Sequence, residues 1–130
     1  MPTIKSRVNP ADPQFLLRRE DLLGQIQHFR GLERSIIAHS ARATAKFEKR
    51  GQLLPRQRVE RLLDPGHPFI ELSTLAGYCM HDDDGGRSIA GGGNIIGIGY
   101  VSGVRCVVTA SDSGIKGGAI SPMGLRKSLR

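Results

Sequence analysis

The sequence predicts an α/β chain, helical in its first half, with a β-hairpin, a glycine-rich loop and a closing helix in its second. Three observations predict it. Apolar residues between Phe15 and Lys49 recur at spacings of three, four and seven, the period of a helix face. Residues 95–110 read as two β-rich runs around Ser102-Gly103, a dipeptide suited to a two-residue turn. The glycines cluster: residues 91–118 hold Gly91-Gly-Gly93, Gly97, Gly99, Gly103, Gly114 and the pair Gly117-Gly118. Such clusters let backbone N–H groups converge on an anion or a thioester oxygen.

In chain order, residues 1–13 hold three prolines and read as an extended arm. The long helix follows. Leu16, Leu23, Ile26, Phe29, Ile36, Ile37 and Phe47 approximate one apolar stripe, with Arg18, Arg19, Arg30, Arg34, Arg42 and Lys46 on other faces. That pattern suits an amphipathic helix docked on something larger better than one lying on a membrane. Gly31 marks a plausible break, and Gly51 a C-terminal stop. A second, short helix runs from Leu54 to Asp64, with Pro55 in its first turn, where a missing N–H costs nothing, and Pro65-Gly66 ending it. Phe69–Ser73 reads as a short strand, and His81-Asp-Asp-Asp-Gly-Gly86 as a solvated loop rather than a metal site, because adjacent side chains rarely converge on one ion.

In the first hairpin strand Ile96, Ile98 and Tyr100 share one face, and Gly97 and Gly99 on the other leave room for a close approach. The second strand, Val104 to Ala110, is nearly all apolar, as expected for a strand buried on both sides. Ser111–Gly114 is a turn, Lys116-Gly-Gly118 follows, and Pro122 opens the last helix.

Bulk properties narrow the function classes. One domain fits in 130 residues, and with no Trp, four Phe and two Tyr any core rests on Leu, Ile and Val. The net charge of +7 is concentrated in residues 1–67, which hold 13 Lys/Arg against 7 Asp/Glu; residues 68–130 hold 6 against 5. A basic excess attracts polyanions, including nucleotide-containing cofactors. Nucleic acid is disfavoured, since neither interleaved aromatics nor a recognition motif accompanies the charge. A basic assembly or nucleic-acid-binding module is the rival class. Cys79 and Cys106 suit a reduced, cytoplasmic chain, and neither a signal peptide nor a membrane-length apolar run is present.

Four segments carry a family resemblance. They are Arg50-Gly-Gln-Leu-Leu-Pro-Arg-Gln-Arg-Val-Glu-Arg-Leu-Leu-Asp-Pro-Gly66, Phe69-Ile-Glu-Leu-Ser73, Gly97-Ile-Gly-Tyr-Val-Ser-Gly103, and Ala110-Ser-Asp-Ser-Gly-Ile-Lys-Gly-Gly118 with Ser121-Pro-Met123 and Lys127. Their order and spacing resemble the N-terminal part of the carboxyltransferase (beta) subunit of biotin-dependent acyl-CoA carboxylases. Lys116-Gly-Gly118 followed by Pro122-Met123 is more similar to the methylcrotonyl-CoA and geranyl-CoA carboxylases than to the propionyl-CoA type. Ser111 stands where that family usually has Asn, and Ser113-Gly114 replaces a more common Ala-Thr or Phe-Thr pair.

The resemblance implies a crotonase-like fold, a β-β-α spiral of which this chain is the truncated N-terminal portion. Residues 1–67 would be an arm and helices, and 68–130 the start of the carboxyltransferase domain. It implies carboxyl transfer from carboxybiotin, supplied by a biotin-carrying alpha subunit, to an acyl- or enoyl-CoA. It also implies a homo-oligomer with no metal in this chain, no nucleic acid and no membrane, and a fragment inactive by itself. In such chemistry the released biotin acts as base, which fits the lack of a catalytic arrangement around His28, His39, His67 and His81. The enolate oxygen needs N–H donors, each worth about 3–4 kcal/mol in a dry site. Gly117 and Gly118 are the candidates, the alternative being a plain strand-to-helix turn. Lys116, Arg56 and Arg58 are candidates for the CoA phosphates, the alternative for the arginines being a solvated or intersubunit face.

Overall fold

The computed structural model describes residues 6–80 and 90–130. The His81–Gly86 loop lies outside the described residues. The chain divides into two compact units, residues 1–32 and 33–130.

The first unit carries the opening of helix α1 (Pro13–Ala41). Asp12 starts it: its carboxylate accepts from the Gln14 N–H at 2.8 Å and its carbonyl from the Leu16 N–H at 3.0 Å. Pro13 occupies the first helical position, two residues before the expected start. No residue of 6–32 is buried, and Leu17, Leu22, Leu23, Ile26 and Phe29 are all exposed.

Helix α1 passes Gly31–Leu32 without a break, and in the second unit its Ile36 and Ser40 are buried. The expected interruption at Gly31 falls instead at Arg42–Ala43. There the N–H groups of Arg42 and Ala43 bond three residues back, and the Thr44 hydroxyl donates to the Ala41 carbonyl. That hydroxyl competes with the helix ladder, whereas Gly31 only lowers propensity, so the polar side chain decides the site. Helix α2 (Thr44–Glu48) ends in a Schellman motif, with Gln52 N–H on Phe47 O, Gly51 N–H on Glu48 O, and Gly51 at φ +64°.

Helix α3 (Pro55–Leu62) begins with Pro55, and the Gln57 side chain accepts from the Leu54 N–H at 3.0 Å. Strand β1 is only Ile70–Glu71, shorter than expected, because Ser73 turns to φ +50°. Strands β2 (Asn94–Val101) and β3 (Val104–Ser111) pair antiparallel from Asn94↔Ser111 to Val101↔Val104, and β1 joins the other side of β2 through Ile70↔Ile98. Ser102 and Gly103 both have positive φ, +51° and +77°, as a two-residue hairpin turn requires. Asp64, just after α3, accepts both of their N–H groups at 2.7 and 2.6 Å. The helix end and the hairpin tip are thereby joined.

The core lies between α3 and one face of the sheet. Val59, Ile95 (1% exposed) and Val108 form it, with Leu63, Phe69, Val101, Cys106 and Ala110 packed around. Burying each large aliphatic contributes about 1.5–3 kcal/mol. The room left by Gly97 and Gly99 is filled from within: a Cβ on Gly97 would meet the Phe69 ring, and one on Gly99 would stand 2.5 Å from Leu63 Cδ2. The expectation that the second hairpin strand is buried on both sides is corrected. Strand β3 is at the edge of the sheet, with Val104 and Val107 exposed, the latter at 65%. Helix α3 covers only the Val108 face. Helix α4 (Pro122–Ser128) closes the described chain, its N-cap Ser121 accepting from the Gly124 N–H at 2.9 Å.

Candidate functional site

The loop after β3 is built from its buried end outward. Asp112 is 2% exposed. Its carboxylate accepts from the hydroxyl of Ser40, itself 2% exposed, at 2.7 Å and from the Gly114 N–H at 3.1 Å. Its own N–H donates to Gly93 O at 2.7 Å. Ile115 is buried and accepts from the Gly118 N–H at 2.9 Å, while Ala119 N–H bonds to Lys116 O. The result is a tight left-handed turn, Lys116–Gly118, presented by a fixed base.

Within it Lys116, Gly117 and Gly118 all have positive φ, +45°, +66° and +86°. Only glycine adopts such angles without strain. Gly117 is exposed, and a Cβ on it would meet nothing within 4 Å. The Gly118 N–H, in contrast, is used in closing the turn onto Ile115.

The two arginine candidates separate. Arg56 is committed to Glu71 through two charge-assisted bonds, Nη1 to Oε2 at 2.6 Å and Nη2 to Oε1 at 2.9 Å, tying α3 to β1. Both side chains are largely buried, and the Arg56 Nε has no partner. Arg58 is exposed. It lines a groove of about 510 Å³ between α3 and the edge of β3, with Val59, Leu62, Val108 and Ser113. A second groove of about 370 Å³, beside Phe47 and Leu53, also holds Arg58 and Ser113. Ser113 connects this region to the glycine turn: its Cβ is 3.4 Å from where a Cβ on Gly118 would stand. Arg58, Ser113 and Gly118 therefore belong to one neighbourhood, and Arg56 braces it. Lys116 is exposed on the turn itself.

Three features bearing on the site were not assigned a role from the sequence. Asp64 is one; its carboxyl is held below the usual carboxylate range chiefly by the Gly103 N–H, with the Ser102 N–H and the charge of His67 adding to it and desolvation opposing them. The Ser40–Asp112 pair is another, spanning 72 residues. Lys127 is the third: it is 7% exposed, and burial pushes its ammonium below the usual lysine range, opposed by Glu71 and Asp112 and assisted by Arg56. Among the described residues, no group of three or more His, Cys, Asp or Glu is placed to hold a metal ion, and no helix is long and apolar enough to cross a membrane.

Comparison with known proteins places this geometry. Residues 46–130 match the carboxyl transferase domain. The chain is 42% identical over 118 residues to the biotin-dependent 3-methylcrotonyl-coenzyme A carboxylase beta1 subunit of Mycobacterium tuberculosis, covering 91% of this chain and 21% of that protein. It is 39% identical over 115 residues to the mitochondrial methylcrotonoyl-CoA carboxylase beta chain of Dictyostelium discoideum, covering 88% of this chain and 19% of that one. Against the crystal structure of the P. aeruginosa geranyl-CoA carboxylase beta subunit the TM-score is 0.85 at 53% identity, over 98% of this chain and 23% of that one. Transcarboxylase 12S, at 21% identity and a TM-score of 0.67 over 82% of this chain and 21% of that one, shares the fold. The fold is therefore the crotonase-like fold of carboxyltransferase beta subunits. The chain spans about a fifth of the length of these relatives.

Proposed function

The chain belongs to the carboxyl transferase domain family, and from that premise we propose that it forms part of the acyl-CoA side of a biotin-dependent acyl-CoA carboxylase of the methylcrotonyl-CoA or geranyl-CoA type. The single observation that supports this reading is the Arg58 groove, whose lining residue Ser113 also neighbours Gly118 of the glycine turn. A CoA thioester is a polyanion on a long, partly apolar arm. A guanidinium at the rim and the Val59, Leu62 and Val108 wall suit those two parts.

In this reading Arg58 and Lys116 meet the phosphates. The Gly117 peptide approaches the thioester without a Cβ in the way, and Gly118 holds the turn that aims it. Arg56 supports α3 through Glu71 and touches no ligand. Carboxybiotin, brought by a biotin-carrying partner subunit, supplies the carboxyl group and then the base. The chain's own work is to bind the acyl-CoA, exclude water and stabilise negative charge on the thioester oxygen as the proton leaves. Residues 1–67 supply the arm and helices and 68–130 the first strands of the carboxyltransferase domain, whose match reaches back to residue 46. The exposed apolar residues Leu17, Leu22 and Phe29 support packing of the arm against another subunit of a homo-oligomer.

The test is an assay of the full-length protein with its biotin-carrying partner across a panel of acyl-CoAs. Biotin-dependent carboxylation of methylcrotonyl-CoA or geranyl-CoA is the expected result. A competent partner with no carboxylation of any acyl-CoA would overturn the proposal.

A further inference from the structure

The carbonyls of four consecutive residues, Gly91 to Asn94, are all held by atoms from elsewhere in the fold. Lys127 Nζ donates to Gly91 O at 3.0 Å and to Asn94 O at 2.6 Å. The Ser121 hydroxyl donates to Gly92 O at 3.3 Å, and the Asp112 N–H to Gly93 O at 2.7 Å. Three left-handed glycines, φ +86°, +68° and +70°, let the carbonyls turn this way. A Cβ on Gly92 would stand 3.0 Å from Gly124 Cα, so the turn and the start of α4 pack backbone on backbone. Asn94 adds a bond from its side-chain amide to Ser128 Oγ at 3.0 Å.

Lys127 is the unusual member. A buried ammonium is costly unless its donors are satisfied. No carboxylate lies within ion-pair distance of it among the described residues. Among the described residues, the charged groups that act on it are Glu71, Arg56 and Asp112, which with Lys127 make two of each sign. An ammonium can bracket a turn from one point, since its three donors are not confined to a plane. The bracketed turn is bonded directly to Asp112, the first residue of the loop that presents Lys116–Gly118.

We propose that Lys127 is a positioning residue: its ammonium clamps the Gly91–Asn94 turn, and through the Gly93–Asp112 bond it fixes the loop that presents Gly117 to the acyl-CoA. The clamp rests on the geometry alone. Its effect on catalysis rests on the function proposed above.

The test uses the full-length protein assembled with its biotin-carrying partner, comparing wild type with Lys127→Met, which keeps length and apolar volume but removes the donors. Hydrogen exchange at residues 112–118 reads the clamp without any substrate, and acceleration of about tenfold or more is expected there, with β2–β3 amides unchanged. In the assembled variant kcat for acyl-CoA carboxylation falls by about a hundredfold, with a small change in KM and unchanged biotin carboxylation by the partner. Lys127→Gln, which retains two donors, recovers part of both. Unchanged exchange at 112–118 overturns the clamp whatever the activity. Accelerated exchange with wild-type kcat overturns the positioning role. A wild-type protein with no acyl-CoA activity sinks the proposed function and the catalytic role with it, while the exchange result still decides the clamp. Failure of both variants to fold assigns Lys127 to stability alone and overturns the positioning role.

Discussion

Two glycine turns use the same backbone conformation for opposite ends. Gly91–Gly93 and Lys116–Gly118 are each three residues long and left-handed throughout. The first is buried, and all its carbonyls are bonded to other segments. The second has Gly117 in open space, and the bonds that close it, Gly118 N–H to Ile115 O and Ala119 N–H to Lys116 O, are internal to its own loop. Glycine in the first permits backbone to pack on backbone; in the second it leaves a peptide uncovered. Positive φ therefore does not mark a ligand site. What surrounds the turn decides.

Substitutions separate the two turns. Gly92→Val has the largest expected effect. The left-handed strain of about 1–2 kcal/mol and the overpacking against Gly124, about 1–3 kcal/mol, act together. The full-length variant is expected to lose most soluble, assembled protein, as size-exclusion chromatography would reveal. Arg56→Ala comes next, because it leaves the half-buried Glu71 without its cation; about 1–3 kcal/mol of stability should go, visible as a lower melting temperature. Gly118→Val should leave assembly intact and lower acyl-CoA carboxylation by about a hundredfold, with the partner's biotin carboxylation unchanged. If the assembled variant keeps normal turnover, the second turn is as structural as the first.

Arg58→Ala should be milder, raising KM for acyl-CoA about fivefold with no change in melting temperature, the opposite signature to Arg56→Ala. The smallest effect concerns Asp64. Its folded pKa lies below 3.8, so its bonds to the hairpin tip contribute stability above that value, and this is lost as pH falls through the folded pKa. Asp64→Asn should flatten the fall in melting temperature as the pH drops below about 4. An unchanged acid slope would mean the carboxylate is not what holds Ser102 and Gly103.

The sequence disclosed what depends on near neighbours. Ser102-Gly103 named a turn with positive φ, Pro55 named a helix start, and Gly51 named a helix end. It misplaced the break in α1, because the Thr44 hydroxyl outweighs the low propensity of Gly31. It overestimated the cover on β3, since an apolar run does not say how many faces are packed. The family was legible from four ordered segments. The separation of Arg56 from Arg58 was not, since it turns on Glu71, 15 residues away. Nor was the clamp at Gly91–Asn94, whose lysine comes from 33 to 36 residues further along. Local chemistry is written in the sequence, but pairing across the fold is read only from the packed structure.

The most direct test of the division between the two turns is hydrogen exchange on the full-length protein with and without a non-reactive CoA thioether. Protection should appear at residues 113–118 and along 52–58, with exchange at residues 91–94 unchanged. Protection at 91–94, or none across 113–118 in a protein that has bound the thioether, would contradict it.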